Sequence, residues 1–238
     1  MSLDALYSKL SLPDTHEDLY RNIVSLRESE DLFDDLSPDP TDWSTAIEAE
    51  MISKQSGFIS QNPIIDRPFE EAKWFNSIGF PFSNWMESRY SNGKYGVWYG
   101  GESLETTIYE TVHRWTVFLS DSQNLNPGRI QERRIHTVRC DALLVDIRHL
   151  VPEFPGLIST DDYSLTQSVG SRLQGEEHPG LLAKSARCSG DVYALFNPKV
   201  LSNPRMFCYL TYKVGDQGTV EVEREPGKLL LSVPYIND

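Results

Sequence analysis

Within the 28 residues from Ser88 to Trp115 lie Arg89, the aromatic run Tyr95 to Tyr99, the pair Gly100-Gly101 and Glu110. These types can do chemistry together. A guanidinium attracts anions, a carboxylate attracts developing positive charge, and a tyrosine ring offers an apolar face. On this reading Glu110 stands on the wall of a cleft beside Arg89 and Tyr99. A plainer reading makes Glu110 a solvated glutamate paired with Arg114 four residues on, worth about 0.2–0.5 kcal/mol. Spacing alone leaves both open.

The elements that must carry these groups follow from local pattern. Asn92-Gly93 signals a turn, and Tyr95 to Tyr99, rich in aromatic and β-branched residues, predicts a short strand. Gly100-Gly101 permits a sharp turn or a close backbone approach. Ser103 is a good N-cap for a helix in which Leu104, Ile108, Val112 and Trp115 share one face and Glu105 complements the dipole. At about 100° per residue Glu110 falls nearly opposite that face, away from the core.

Arg89-Tyr90-Ser91-Asn92-Gly93, Tyr95-Gly96-Val97-Trp98-Tyr99 and Leu104 to Thr111 resemble the central signature of the RES domain family, named for an arginine, a glutamate and a serine. Ala183-Lys184-Ser185-Ala186-Arg187, followed by Phe196-Asn197-Pro198-Lys199-Val200-Leu201, is similar to the family's serine segment and the Asn-Pro motif behind it. Leu26-Arg27, Leu32 to Leu36 and Asp66-Arg67 to Trp85 resemble upstream stretches, so the likeness runs from about Arg27 to Leu210. The serine segment reads Lys184-Ser185-Ala186 and lacks the proline often found before that serine, a departure that bears on Ser185.

The resemblance implies an α+β fold, a single domain with a split β-sheet core similar to ADP-ribosyltransferases. It also implies an NAD+-consuming toxin of a bacterial toxin–antitoxin pair. The trio carried over is Arg89, Glu110 and Ser185, with substrate contacts from Tyr99, Tyr90 and Arg27. NAD+ is then a substrate, no cofactor is needed, and inorganic phosphate is a candidate co-substrate. Cleavage of the nicotinamide–ribose bond, by phosphorolysis or hydrolysis, develops oxocarbenium character that Glu110 would stabilise. Arg89 would grip the pyrophosphate or an inorganic phosphate, Tyr99 would pack on nicotinamide, and Ser185 would bond the carboxamide or a ribose hydroxyl. Nicotinamide leaves as a neutral group, so no strong general acid is required. A mono-ADP-ribosyltransferase with a protein acceptor and a non-catalytic protein-binding module are the alternative readings. The implied protein partner is a helix-turn-helix antitoxin; a homo-oligomer is compatible with the sequence but not specified by it.

At 238 residues with 39% hydrophobic residues, the chain is long enough for one large domain with a substantial core. The expected organisation is an acidic, mainly helical N-terminal extension over residues 1–56 and a RES-like catalytic domain over 57–238. No window approaches the ~18 apolar residues of a transmembrane helix and the start lacks a signal-peptide layout, so a cytoplasmic protein with no membrane partner is expected. Cys140, Cys188 and Cys208 suggest small core residues and neither a disulfide framework nor a zinc site. The net charge of −13 argues against direct nucleic-acid binding. Residues 1–56 hold 13 Asp or Glu against 4 Lys or Arg, read as solvated surface or as a face for a basic partner. An anionic dinucleotide entering such a field needs local arginines to reverse the potential.

Along the chain, Leu19, Ile23 and Leu26 predict a helix over Thr15 to Leu26, and Thr41 caps a second over Asp42 to Gln55. Asn62 to Trp85 reads as irregular, its aromatic rings requiring burial. Arg134 to Arg139 and Leu143 to Arg148 read as two strands on a solvated basic edge. A helix over Asp161 to Gln174, weakened by Gly170, leads to strands at Gly180 to Ala183, Asp191 to Phe196 and Arg205 to Val214. Thr219 to Glu223 and Leu229 to Val233 form a hairpin around Pro226-Gly227. No Gly-x-Gly-x-x-Gly, P-loop or Gly-x-Ser-x-Gly motif occurs. His16, His113, His136, His149 and His178 are scattered without metal-ligand spacing; His113 could touch a cleft through its helix, but a surface histidine is the first reading.

Overall fold

Strand β1, Asp14–Val24, is where the sheet is assembled. All eleven of its residues pair antiparallel with β5, Ile130–Leu143, from Asp14↔Leu143 to Val24↔Arg133. On its other side it meets β4, Trp98–Gly101, through a single pair, Tyr20↔Gly101. The remaining large-sheet strands are β6 (Val145–Asp146), β7 (Gly180–Lys184), β8 (Asp191–Leu195), β9 (Leu201–Val214), β10 (Thr219–Glu225) and β11 (Lys228–Pro234). Their order is β11-β10-β9-β5-β1-β4-β8-β7-β6, antiparallel throughout except β6–β7. The one-pair junction between β1 and β4 all but divides the nine strands into two halves, giving the split sheet expected. A separate ribbon pairs β2 (Glu87–Ser88) with β3 (Ser91–Asn92).

This is a computed structural model that describes residues 3–25 and 73–235. The chain divides into two compact units, Met1–Ser25 with Trp74–Asp238 and Leu26–Lys73; the elements named here belong to the first. Arg27, the helix expected over Asp42 to Gln55, and the family-like segments at Leu32 to Leu36 and Asp66-Arg67 lie outside the described residues.

Among the described residues four α-helices pack on this frame: α1 (Leu3–Tyr7), α2 (Phe80–Ser83), α3 (Leu104–Asp121) and α4 (Ser164–Gly175). Helix α3 buries Ile108, Val112 and Trp115 with Ile135, Tyr212, Val220 and Val222. Helix α4 buries Val169 and Leu173 with Ile147, Leu181 and Ala194, and α1 adds Leu6 to that cluster. A third cluster joins Leu19, Trp98, Val138, Leu182 and Leu195 to Ile78. Each such large side chain contributes about 1.5–3 kcal/mol relative to exposure. Gly170 in mid-helix is explained by packing, since a Cβ there would stand 2.2 Å from the Tyr90 carbonyl oxygen.

Three expectations are corrected. The helix expected to start at Thr15 does not form: Asp14–Val24 is a strand inside the sheet, because pairing with β5 outweighs an apolar spacing that happened to suit a helix. The segment placed in the helical extension is thus part of the sheet itself. The basic run does not form a solvated edge either; β5 lies between β9 and β1, and Arg133 is buried there, its guanidinium donating to Asn22 Oδ1 at 2.7 Å. In the described part of the aromatic stretch, Phe75–Gly79 forms a π-helical turn that runs into α2, while Trp74, Phe80 and Trp85 stay exposed. The Cys140 and Cys208 side chains are buried and all three cysteines are free, and burial pushes the Cys140 thiol up to about 12.

Candidate active site

Ser103 starts α3 by accepting a hydrogen bond from the Thr106 amide at 3.1 Å, as the sequence predicts. The two glycines before it are there for close packing. Neither has positive φ, and a Cβ on Gly100 would meet the Trp98 ring at 2.6 Å and one on Gly101 would meet Thr107 Cγ2 at 2.9 Å. With its apolar face fixed in the core, α3 presents Glu110 on the opposite side. There Glu110 is half-buried, and Oε1 accepts a hydrogen bond from Ser185 Oγ at 2.5 Å. Arg114 does not pair with Glu110; its guanidinium lies over the Tyr99 ring, 5.5 Å from the centroid.

Ser185 follows β7 and is buried. Its amide donates to the Gly190 carbonyl at 2.9 Å, and its Oγ accepts from the amides of Arg187 at 3.0 Å and Cys188 at 3.2 Å. With both acceptor positions of the hydroxyl used, its single proton is directed to Glu110. The turn is anchored by ions. Asp191, at the start of β8, takes Lys184 Nζ at 2.6 Å and Arg148 at 2.5 Å, while Arg148 also holds Asp146 at 2.7 Å. The Asp191 amide bonds Glu102 Oε1 at 3.0 Å, tying the turn to the residues that lead into α3.

Arg89, between β2 and β3, is nearly buried; its guanidinium donates to the Ser159 carbonyl at 2.9 Å and lies 4.6 Å from the Tyr163 ring centroid. Arg187 docks on the next carbonyl, that of Thr160, at 2.7 Å. Arg89 and Glu110 both act electrostatically on the Tyr90 hydroxyl, which burial pushes well above the usual phenol range. Arg89 and Arg187 dock on adjacent carbonyls, and the Arg187 amide donates to the Ser185 oxygen that bonds Glu110, so a chain of contacts links Arg89 to Glu110 in one neighbourhood. Tyr90 itself is fully buried with its hydroxyl unpartnered, so it sits in the core behind this neighbourhood and not on an open wall. The Tyr99 hydroxyl is occupied by the Tyr90 amide at 3.0 Å and by Ser88 Oγ at 2.9 Å, leaving only the ring for other contacts. Its carbonyl accepts from Arg21 at 2.7 Å. Burial, with Arg114 and Arg133 nearby, brings the Arg21 guanidinium down to about 9, which leaves it cationic at neutral pH.

His113, read from the sequence as a surface residue, is instead half-buried three residues beyond Glu110. Burial lowers its imidazole to about 4; Arg187, Arg89 and Arg114 push the same way and Asp161 opposes them. Arg187, Arg114 and Arg21 were not expected as site residues either. Their one sequence signal is arginine in an acidic chain, which carries no address. What results is a carboxylate with a hydroxyl donor beside a set of arginines, able to hold an anionic molecule while stabilising positive charge next to it. Among the described residues no group of three His, Cys, Asp or Glu is placed to hold a metal, and no helix is long and apolar enough to cross a membrane.

The family model described as RES domain matches residues 65–215, more than half of the chain. No curated protein matches. Among solved structures the chain is similar to one in the crystal structure of the M. tuberculosis MbcT-MbcA toxin-antitoxin complex. The identity is 15%, with 88% of this chain and 90% of that one covered and a TM-score of 0.48.

Proposed function

This chain belongs to the RES domain family, and from that premise we propose that it is an NAD+-degrading enzyme, the toxin of a toxin–antitoxin pair, that cleaves the nicotinamide–ribose bond. The observation that carries this reading is the Ser185–Glu110 hydrogen bond, linked to Arg89 through Arg187 and the adjacent Ser159 and Thr160 carbonyls. As nicotinamide departs, positive charge grows on the ribose. The Glu110 carboxylate faces that charge and bonds ribose hydroxyls, while Ser185, its acceptor positions filled by two backbone amides, holds the carboxylate in one orientation. Arg89 grips a phosphate of the dinucleotide, and the Tyr99 ring packs on nicotinamide. Arg114 and Arg187 add positive charge that favours phosphate over water as acceptor, making phosphorolysis the preferred reaction and hydrolysis the alternative. Arg27 remains a substrate contact suggested by resemblance, and Tyr90 supports Tyr99 through its amide. The proposed place of action is the cytoplasm, and the proposed restraint is a helix-turn-helix antitoxin bound to the folded toxin.

The test is chromatography of products from NAD+ labelled in the adenosine half, with and without inorganic phosphate and with added protein. ADP-ribose 1″-phosphate that appears only with phosphate supports phosphorolysis, and free ADP-ribose supports hydrolysis. Label on protein would establish ADP-ribosyl transfer, and unchanged NAD+ a binding module.

A further inference from the structure

In a chain with 35 acidic residues against 22 Lys and Arg, an arginine has many carboxylates to pair with. Arg139, Arg148, Arg172 and Arg205 do so, with Asp141, Asp146, Glu176 and Asp18. Arg89 and Arg187 do not. Among the described residues the side chain of each makes a single hydrogen bond, and both bonds go to backbone carbonyls: Arg89 Nη1 to Ser159 at 2.9 Å and Arg187 Nη2 to Thr160 at 2.7 Å. The next acid along the chain, Asp161, takes the Thr160 hydroxyl at 2.9 Å instead. Arg187 Nε is buried with no partner, while Arg89 has no buried unpartnered nitrogen, so its spare donors reach solvent. A guanidinium carries five N–H donors, so each of these two is largely unused.

Two cations are thus moored to one two-residue stretch with no acid to neutralise them. Consecutive α-carbons stand about 3.8 Å apart, the scale on which two phosphates bridged by one oxygen are set. The stretch is also tied to the reacting end of the site, since the Arg187 amide donates to Ser185 Oγ at 3.0 Å and that hydroxyl donates to Glu110 at 2.5 Å. Counting contacts outward from Glu110, Ser185 comes first, then Arg187, then Arg89. We propose that Arg187 is a specificity-determining residue of this site, holding the phosphate on the nicotinamide-ribose side of a dinucleotide while Arg89 holds the phosphate on the adenosine side. This rests on the reading of the site as an NAD+ site. Each phosphate of the diphosphate carries one negative charge and offers two oxygens to a planar fork, so the ligand supplies the counter-charges that the fold leaves out. Nicotinamide riboside has the scissile bond and neither anchor, and nicotinamide mononucleotide has one of the two.

The experiment measures nicotinamide release from NAD+, nicotinamide mononucleotide and nicotinamide riboside by wild-type protein, Arg187→Gln and Arg89→Gln, with inorganic phosphate varied. The wild type should lose kcat/KM at each step from dinucleotide to mononucleotide to riboside. Arg187→Gln should lower kcat/KM for NAD+ and for the mononucleotide about tenfold more than for the riboside, and Arg89→Gln should lower it for NAD+ about tenfold more than for the mononucleotide. A riboside that is not cleaved is read in the same comparison as a competitive inhibitor of NAD+ turnover. A merely structural role would lower all three substrates alike in Arg187→Gln, and that result contradicts the inference. So does a raised KM for inorganic phosphate with the KM for NAD+ unchanged, which would put Arg187 at the acceptor. Both leave NAD+ cleavage standing. A wild-type protein that releases nicotinamide from none of the three overturns the activity, and the inference with it.

Discussion

The Ser185 hydroxyl meets the Glu110 carboxylate at 2.5 Å although the two residues lie 75 positions apart. One comes from the side of a helix turned from the core and the other from a turn between two strands of the half-sheet beyond β4. A serine with both acceptor positions filled by backbone amides has no other use for its proton, so the carboxylate is held in place before any ligand arrives.

Ser185→Ala should therefore act twice. Loss of the donor to Glu110 lowers NAD+ turnover by about 10–100-fold, and two amides lose their acceptor, costing about 1–3 kcal/mol of stability. Steady-state kinetics and urea unfolding on the same sample check the two halves.

Arg89→Lys keeps the charge but loses the planar fork that bonds the Ser159 carbonyl and lies over Tyr163. The expected result is a rise of about tenfold or more in KM for NAD+, larger than the fall in kcat. An unchanged KM would remove Arg89 from substrate binding.

Gly190→Ala tests the scaffold. A Cβ there would lie 2.0 Å from Thr106 Oγ1 and 3.1 Å from Glu102 Oε1, so the Ser185 turn must shift away from the start of α3. A loss of about 1–3 kcal/mol in unfolding free energy is expected, with turnover falling in parallel. Wild-type stability would mean that the turn gives way at no cost.

How far these features can be read from sequence depends on how local their causes are. The Ser103 cap, the buried face of α3 and the turn at Gly227 rest on contacts within a few residues, and each is found where pattern places it. Strand β1 rests on pairing with residues more than a hundred positions away, and its apolar spacing is ambiguous by itself. Glu110 shows the same limit at the site. Periodicity puts it opposite the core, but only the chain fold shows that this side faces Ser185 and not open water. His113 shares that side, and from sequence it reads as a surface residue or as one that touches a cleft. The motif likeness singled out Glu110 and Ser185, which the fold brings into contact, because it carries long-range information that periodicity lacks.

Acid should weaken the anchor of the Ser185 turn. Burial alone would raise the Asp146 carboxyl, but hydrogen bonds from the Arg148 side chain and backbone, with its charge, more than offset this and hold it below the usual range. A depressed carboxylate contributes stability above its unfolded value, roughly pH 4, and that stability is lost as pH falls through the folded value. Asp146→Asn should lower stability at pH 7 and flatten its dependence on pH below about 4, measured by thermal melts across pH. An unchanged acid limb would show that Asp146 is not part of the anchor.

The central claim is that Glu110 stabilises positive charge on the ribose, and release of nicotinamide by wild-type protein and Glu110→Gln tests it most directly. The amide can still accept from Ser185, so circular dichroism and melting should be unchanged while nicotinamide release falls by about 10²–10³-fold. Release within a few-fold of wild type from a correctly folded Glu110→Gln protein would contradict the account.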